Sequence, residues 1–315
     1  MSSERVASID LGTNTARLLI GSSRNGRVER HFISRRITRL GGGFTKDKGI
    51  SPEAALRTIS AMKDFAEALK EYKVDKIRAV ATSAVRDAAN RTGFCNEVRS
   101  ATGIELEVIS GELEGKLTLS GVISGLDTLP ESLFVFDVGG GSTEYTLAAG
   151  ENILFTRSLP LGVVRLTEGK VGIDAMAAKV EKELHSLSRE LQSASVMDRL
   201  SSATLIGTAG TATTLAAISL KLSDYDYRKV NNHLLSLDEI KAIFNALLPL
   251  SPEERLRQIT GLEKGREDLI IAGTILTIKT MELFGFSTLK VSDYGLLEGV
   301  LIHLDDFASE PVNAH

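Results

Sequence analysis

Short apolar runs bounded by turn residues open the chain, and longer runs of helical period follow. Strands are expected at 5–10, 16–22 and 28–37, then a helix over 52–72 with Leu56, Ile59, Met62, Phe65, Leu69 and Tyr72 on one face. A strand at 77–81, a helix at 84–101 with a break near Asn90, a strand at 105–109 and a helix at 112–124 complete the first half. Residues 125–132, with Gly, Asp, Thr and Pro, read as a linker. Three strands then recur at 133–137, 143–149 and 153–159. Helices follow at 174–192, 212–221, 237–247 and 267–284, with strands at 203–207 and 289–292. A last helix at 294–304 is placed to fold back onto the first half.

This order, three strands, helix, strand, helix, strand, helix, occurs twice. It predicts an α/β protein of two duplicated actin-like (ribonuclease H-like) βββαβαβα domains with a cleft between them. The expected division is 1–125 together with the C-terminal helix at about 294–315, against 126–293. The segment IDLGTNTARLLI (9–20) supports the duplication, because it returns as FDVGGGSTEYTL (136–147). In each copy an apolar strand ends in Asp-x-Gly (Asp10 and Gly12, Asp137 and Gly139), a turn of Gly, Thr, Asn or Ser follows, and a second apolar run begins.

Such a hairpin can grip phosphate. Glycines let backbone N–H groups close on an anion, the hydroxyls of Thr13, Thr15, Ser142 and Thr143 add donors, and the strand-end carboxylate can hold Mg²⁺ directly or through water. The copies differ: Asn14 and Arg17 suit the first to oxygen anions, whereas Gly141 and Glu144 suit the second to a metal.

Composition narrows the partners. At 315 residues, 43% hydrophobic and 25% charged, the chain has the make-up of a globular protein large enough for two cores. No signal peptide or transmembrane run is visible, so a cytoplasmic location is expected. Net charge −4 argues against nucleic acid or anionic membrane as partners. Cys95, the one cysteine, reads as a small buried thiol, and His233 as a non-catalytic loop residue. Between Arg24 and Lys48 lie Arg27, Arg30, His31, Arg35, Arg36, Arg39 and Lys46; most of this run reads as a solvated strand face. Arg39, just before Gly41-Gly42-Gly43, is expected to meet a polyanionic substrate.

Seven segments in order, IDLGTNTARLLI, ATSAVRDAANRTGF, ISGELEGKL, FDVGGGSTEYTL, GTAGTATTLAAI, GREDLIIAG and SDYGLLEGVL, resemble the exopolyphosphatase and guanosine pentaphosphate phosphohydrolase family over essentially the whole chain, in its short two-domain form. The resemblance implies Mg²⁺-dependent release of orthophosphate from the end of inorganic polyphosphate or from guanosine pentaphosphate, by a monomer or homodimer. It implies a base at Glu114, although ELEGK departs from the usual pattern and leaves Glu112 as a rival about 200° away on the helix. Asp137 would associate with the metal, with Glu144 as companion or as a salt-bridged strand residue. Gly139, Gly140, Gly141 and Ser142 would donate to the phosphoryl group, Asn14, Arg17 and Arg86 would close the cage, and Gly207, Gly210 and Thr211 would meet the ligand at a helix N-terminus. Ser292 and Asp293 resemble the family's terminal motif and bear on cleft geometry.

Two other readings share the fold. An acetate- or sugar-type kinase needs an acceptor pocket and a nucleotide site, where this chain offers a water-activating glutamate and a basic approach. A nucleotide-driven filament module needs large apolar contact surfaces, to which a chain with no Trp and 5% aromatic residues is poorly suited.

Overall fold

The computed structural model describes residues 5–44, 47–169 and 172–304. The first half runs β1 (Val6–Leu11), β2 (Thr15–Arg24), β3 (Arg27–Ile37), α1 (Pro52–Glu71), β4 (Lys76–Ala81), α2 (Ser83–Arg86), α3 (Arg91–Thr102), β5 (Leu106–Val108) and α4 (Gly111–Gly125). Its five-stranded sheet has the order β3-β2-β1-β4-β5, antiparallel across β1–β3 and parallel across β1, β4 and β5. β1 is central and almost wholly buried, which is why VASIDL carries so little polarity, whereas β3 lies at the edge and alternates in exposure.

The second half runs β6 (Ser132–Val138), β7 (Thr143–Ala149), β8 (Asn152–Leu159), α5 (Val163–Gly169), α6 (Ile173–Ser193), a 3₁₀ segment (Met197–Ser202), β9 (Thr204–Thr208), α7 (Ala209–Ser219), α8 (Tyr227–Val230), β10 (Leu234–Ser236), α9 (Leu237–Leu247), α10 (Pro252–Gln258), α11 (Ile270–Phe284), β11 (Thr288–Val291) and α12 (Leu296–Ile302). The sheet order is β10-β11-β9-β6-β7-β8. Read as β8-β7-β6-β9-β11, it repeats the first sheet, and β10 is an added antiparallel edge. The expected actin-like duplication is therefore present, with α8, β10, α9 and α10 as an excursion in the second copy.

Local differences from the sequence reading have local causes. The helix expected over 84–101 is broken because the Asn90 amide bonds both to the N–H and to the carbonyl of Ile50 (2.9 Å each), pinning the chain between α2 and α3. Leu56 is 68% exposed; α1 instead buries Ala54, Thr58, Ala61, Met62 and Phe65. α10 escaped a reading by apolar period because it buries none of its side chains, although Ser251-Pro252-Glu253-Glu254 forms a full capping box.

The returning helix α12 ties the halves together. Leu297 and Leu301 pack on Leu19 of β2, and the Ser8 hydroxyl donates to the Leu297 carbonyl (2.7 Å). α12 crosses α4 at backbone contact: a Cβ on Gly299 would lie 1.8 Å from the Leu117 carbonyl oxygen, and one on Gly121 1.8 Å from that of Gly295. Residues 305–315 of the expected C-terminal helix lie outside the described residues.

The crossing is a checkable constraint. Gly299→Ala is expected to lower stability by about 1–3 kcal/mol or more through overpacking. Gly93→Ala in α3, where no atom lies within 4 Å of the new methyl, is expected to raise it by roughly 0.5–1 kcal/mol. Urea midpoints of the two variants should move in opposite directions.

Candidate active site

The repeated hairpins end at the same place in their sheets and meet across the cleft. In both, the amide after the acid closes the turn in the same way: Gly12 N–H donates to the Thr15 carbonyl and Gly139 N–H to that of Ser142, each at 3.0 Å. The tips touch. A Cβ on Gly140 would lie 2.9 Å from Thr13 Cβ, and one on Gly141 2.0 Å from Ser83 Oγ and 2.8 Å from Thr13 Oγ1, so only glycine permits this closure. Between the tips lies a cavity lined by both turns, by Asp10, Arg17, Glu114 and Asp137, and by Ala209, Gly210 and Arg266.

Strand register turns the duplication into chemistry. In the first sheet Asp10, Arg17 and Arg35 stand opposite one another on β1, β2 and β3; in the second, the matching row on β6, β7 and β8 is Asp137, Glu144 and Ser158. Asp10 is neutralised by its neighbour, since Arg17 Nε and Nη2 both donate to its Oδ2, at 3.0 and 2.6 Å. Asp137 has an acid in that position. It accepts from the Thr118 hydroxyl (3.3 Å), and burial, reinforced by Asp10 and only partly opposed by Arg17, pushes its carboxyl up to about 6.

Glu144 is pushed up to about 7 by burial first and by the Asp137 charge second, against hydrogen bonds from Ser158 and Ser142. Its Oε1 accepts from Ser158 Oγ at 2.7 Å, while Oε2 is buried without a hydrogen-bond partner. The alternative expectation of a salt-bridged strand residue thus finds a hydroxyl instead of a cation. Glu114 is raised well above the ordinary carboxylate range by burial and by Glu144, with Arg86 opposing and Asp137 adding. Arg86 Nη1 reaches Glu114 Oε2 at 3.1 Å and also donates to the Ile109 carbonyl. Ser110 caps α4, and the helix turns Glu114 into the cleft and Glu112 into solvent.

Of the sequence candidates, Asn14, Arg17, Glu114, Asp137, Gly139, Gly140, Gly141, Ser142 and Gly210 line the cavity; Arg86 and Glu144 stand behind its wall against lining carboxylates. Gly207 and Thr211 are not in the lining. Gly207 is a packing glycine, where a Cβ would meet Ala212, Leu289 and Phe136 at 3.1 Å, and the Thr211 side chain packs against Gly273 of α11. Asp293 pairs with Arg30 and accepts from the Tyr225 hydroxyl, and the Ser292 hydroxyl donates to the Tyr294 carbonyl; both order the approach to α12.

Arg266 is the residue that motif reading passed over. Its guanidinium occupies the space a Cβ of Gly210 would fill, 1.7 Å from Nη1, so Gly210 is needed to admit it. Burial and the nearby Arg35 hold its pKa below the ordinary value, against Glu263. The available signal was GREDLIIAG, which places an arginine just before a buried helix.

Most of the basic run is exposed as expected, Arg24, Arg27, His31 and Arg36 among it, but the Arg30 side chain is buried and several of the arginines are paired. Arg30 pairs with Glu298 of α12 (2.8 Å) and with Asp293 (2.6 Å), and Arg35 with Glu263 (2.7 Å) and Arg39 with Asp268 (3.1 Å) reach across the cleft. Arg165 closes the opposite rim onto Asp87 at 2.8 Å. Lys46 lies outside the described residues.

Among the described residues no three His, Cys, Asp or Glu side chains converge closely enough to cage an ion. Asp137 and Glu144 nevertheless fit a hard cation held by one or two carboxylates plus phosphate oxygens, and the unpartnered Glu144 Oε2 is a free ligand atom in an uncompensated anionic site.

Comparison with known proteins agrees with this geometry. Exopolyphosphatase 2 of Mycobacterium tuberculosis is 34% identical over 96% of this chain and 99% of its own. Among solved structures, an exopolyphosphatase from Cytophaga hutchinsonii superimposes with a TM-score of 0.85 at 29% identity, covering 95% of this chain and 97% of that one. An Aquifex aeolicus Ppx/GppA enzyme gives 0.77 at 34% identity, over 95% and 98%. The model of the Ppx/GppA phosphatase family matches residues 19–306, and the chain belongs to that family.

Proposed function

We propose that this protein is an exopolyphosphatase, hydrolysing the terminal phosphoanhydride of inorganic polyphosphate to release orthophosphate. The observation that carries the reading is a buried carboxylate, Glu114, facing a cavity walled by two glycine and hydroxyl turns. The terminal phosphoryl group sits between the turns, where Thr13, Asn14, Ser142 and backbone amides hold its oxygens. Glu114 orients a water and takes its proton as the oxygen attacks phosphorus; the bond to the bridging oxygen breaks and the shortened chain leaves as an anion. Arg86 holds Glu114 in place and favours its charged, proton-accepting form against the burial and the Glu144 charge that raise its proton affinity.

Asp137 and Glu144 would hold a divalent cation, with Mg²⁺ as the proposed ion, which when bound neutralises charge on the phosphate oxygens. Arg17 and Arg266 extend the cationic lining away from this acidic wall, toward the incoming chain. The proposed domain boundaries, 1–125 with 294–315 against 126–293, draw support from the packing of α12 on β2 and α4. A cytoplasmic monomer or homodimer is proposed with them, and no helix among the described residues is long and apolar enough to cross a membrane.

One observation favours a second reading, guanosine pentaphosphate. Beside the catalytic cavity, and sharing Arg17, Gly210 and Arg266 with it, lies a cavity of about 320 Å³ lined by Tyr225 and Tyr227, room and aromatic surface for a base. Phosphate release from long polyphosphate, short polyphosphate and guanosine pentaphosphate, at one salt concentration, ranks the substrates. Long polyphosphate is expected to give the highest kcat/KM; a higher value for the nucleotide would reverse the ranking.

Two substitutions separate the roles of the acids. Glu114→Gln is expected to lower kcat by roughly 10²- to 10⁴-fold with binding largely kept, because the amide preserves shape and cannot take the proton. Asp137→Asn is expected to raise the Mg²⁺ concentration for half-maximal activity. Near-normal turnover in the first, or an unchanged Mg²⁺ titration in the second, would remove that residue from its role.

A further inference from the structure

We propose that Ser158 is a positioning residue that holds Glu144 as a metal ligand without cancelling its charge; the proposal rests on the reading of Glu144 as a ligand given above. Ser158 stands directly opposite Glu144 in the β7–β8 ladder, and its Oγ–H donates to Oε1 at 2.7 Å. This bond fixes Oε1, while Oε2 is buried with no hydrogen-bond partner within bonding distance. The matching position of the first sheet carries Arg35. A cation at position 158 would pair with Glu144 much as Arg17 pairs with Asp10, and would remove the negative charge a hard cation needs. A hydroxyl orients the carboxylate and leaves its charge in place.

The surroundings show that the bond is specific to Ser158. α4, which carries Glu114, lies on the hydroxyl face of β7 and β8 through two glycines one turn apart. A Cβ on Gly111 would fall 2.3 Å from Ser158 Cβ and 2.8 Å from its Oγ, and one on Gly115 2.6 Å from Thr156 Oγ1. Thr146 and Thr156 satisfy each other at 3.0 Å, so of these three hydroxyls Ser158 alone turns to the acid. Gly111 at the start of α4 thereby confines the Ser158 side chain, and the same contact sets α4, with Glu114, against Glu144.

The test is Mn²⁺ binding to the substrate-free protein by electron paramagnetic resonance, beside Mg²⁺-dependent kinetics. Ser158→Ala is expected to weaken Mn²⁺ binding about 10- to 100-fold and to raise the Mg²⁺ needed for half-activity in parallel, while KM for polyphosphate at saturating Mg²⁺ changes less than about threefold. Gly111→Ala, which displaces the hydroxyl, is expected to act in the same direction. Thr156→Val removes a hydroxyl of the same face that does not touch Glu144, and is expected to leave metal binding unchanged. Equal weakening in Thr156→Val and Ser158→Ala would show general packing and overturn the proposal. Loss of Mn²⁺ in Glu144→Ala with none in Ser158→Ala would overturn it alone; unchanged binding in Glu144→Ala would overturn the ligand reading as well.

Discussion

Uncompensated negative charge buried at the end of one hairpin is the constraint on which the rest of the site depends. Asp137, Glu144 and Glu114 are taken out of water together, and Arg86, Arg17 and the hydroxyls of Ser158, Ser142 and Thr118 oppose this only in part. Buried carboxylates of like charge destabilise the empty fold, and such strain persists where a ligand relieves it. A divalent cation and the arginines that flank an incoming phosphate chain are complementary to this arrangement.

Duplication shows how the constraint arose from an ordinary sheet. Two copies of one hairpin place three residues in a row across three strands. The first row is an acid followed by two cations, the nearer of which neutralises the acid; the second replaces both cations by an acid and a hydroxyl. One copy therefore presents cations and amides to the cleft, and the other an anionic wall. Closure of the tips through Gly140 and Gly141 brings the two chemistries to one cavity, and ion pairs from Arg30, Arg35 and Arg39 to the opposite half hold the rim.

Much of this was legible in the sequence because it is local. Asp-x-Gly followed by Gly, Thr or Ser between apolar runs specifies a strand, a tight turn and a strand, and its recurrence specified the two matching sheets. The acid of ELEGK that faces the cleft needed the structure: burial surrounds most of α4, so no apolar stripe marks a face, and only contact with β7 and β8 sets its rotation. The pairing of Arg30, Arg35 and Arg39 within the basic run was not legible for another reason. Their partners, Glu263, Asp268 and Asp293, lie more than two hundred residues away, so nothing near them in sequence distinguishes a cleft-spanning row from a solvated one. Gly207 and Gly210 share one motif, yet one admits apolar side chains and the other a guanidinium, a difference made entirely by what packs against them.

The charge of Glu144 is buried at a cost that a bound cation would offset, and the pH dependence of stability tests this directly. Its pKa is raised when folded, from 4.5 to about 7, so the native protein binds the extra proton between these values and the destabilisation is complete above the upper one. Glu144→Gln has no charge to bury. With divalent cations chelated, it should be more stable than the parent at pH 8, by up to roughly 3 kcal/mol at about 1.4 kcal/mol per pKa unit, with the gap closing toward pH 5. A Gln variant that is equally or less stable at pH 8, or a gap that does not change with pH, would contradict the account.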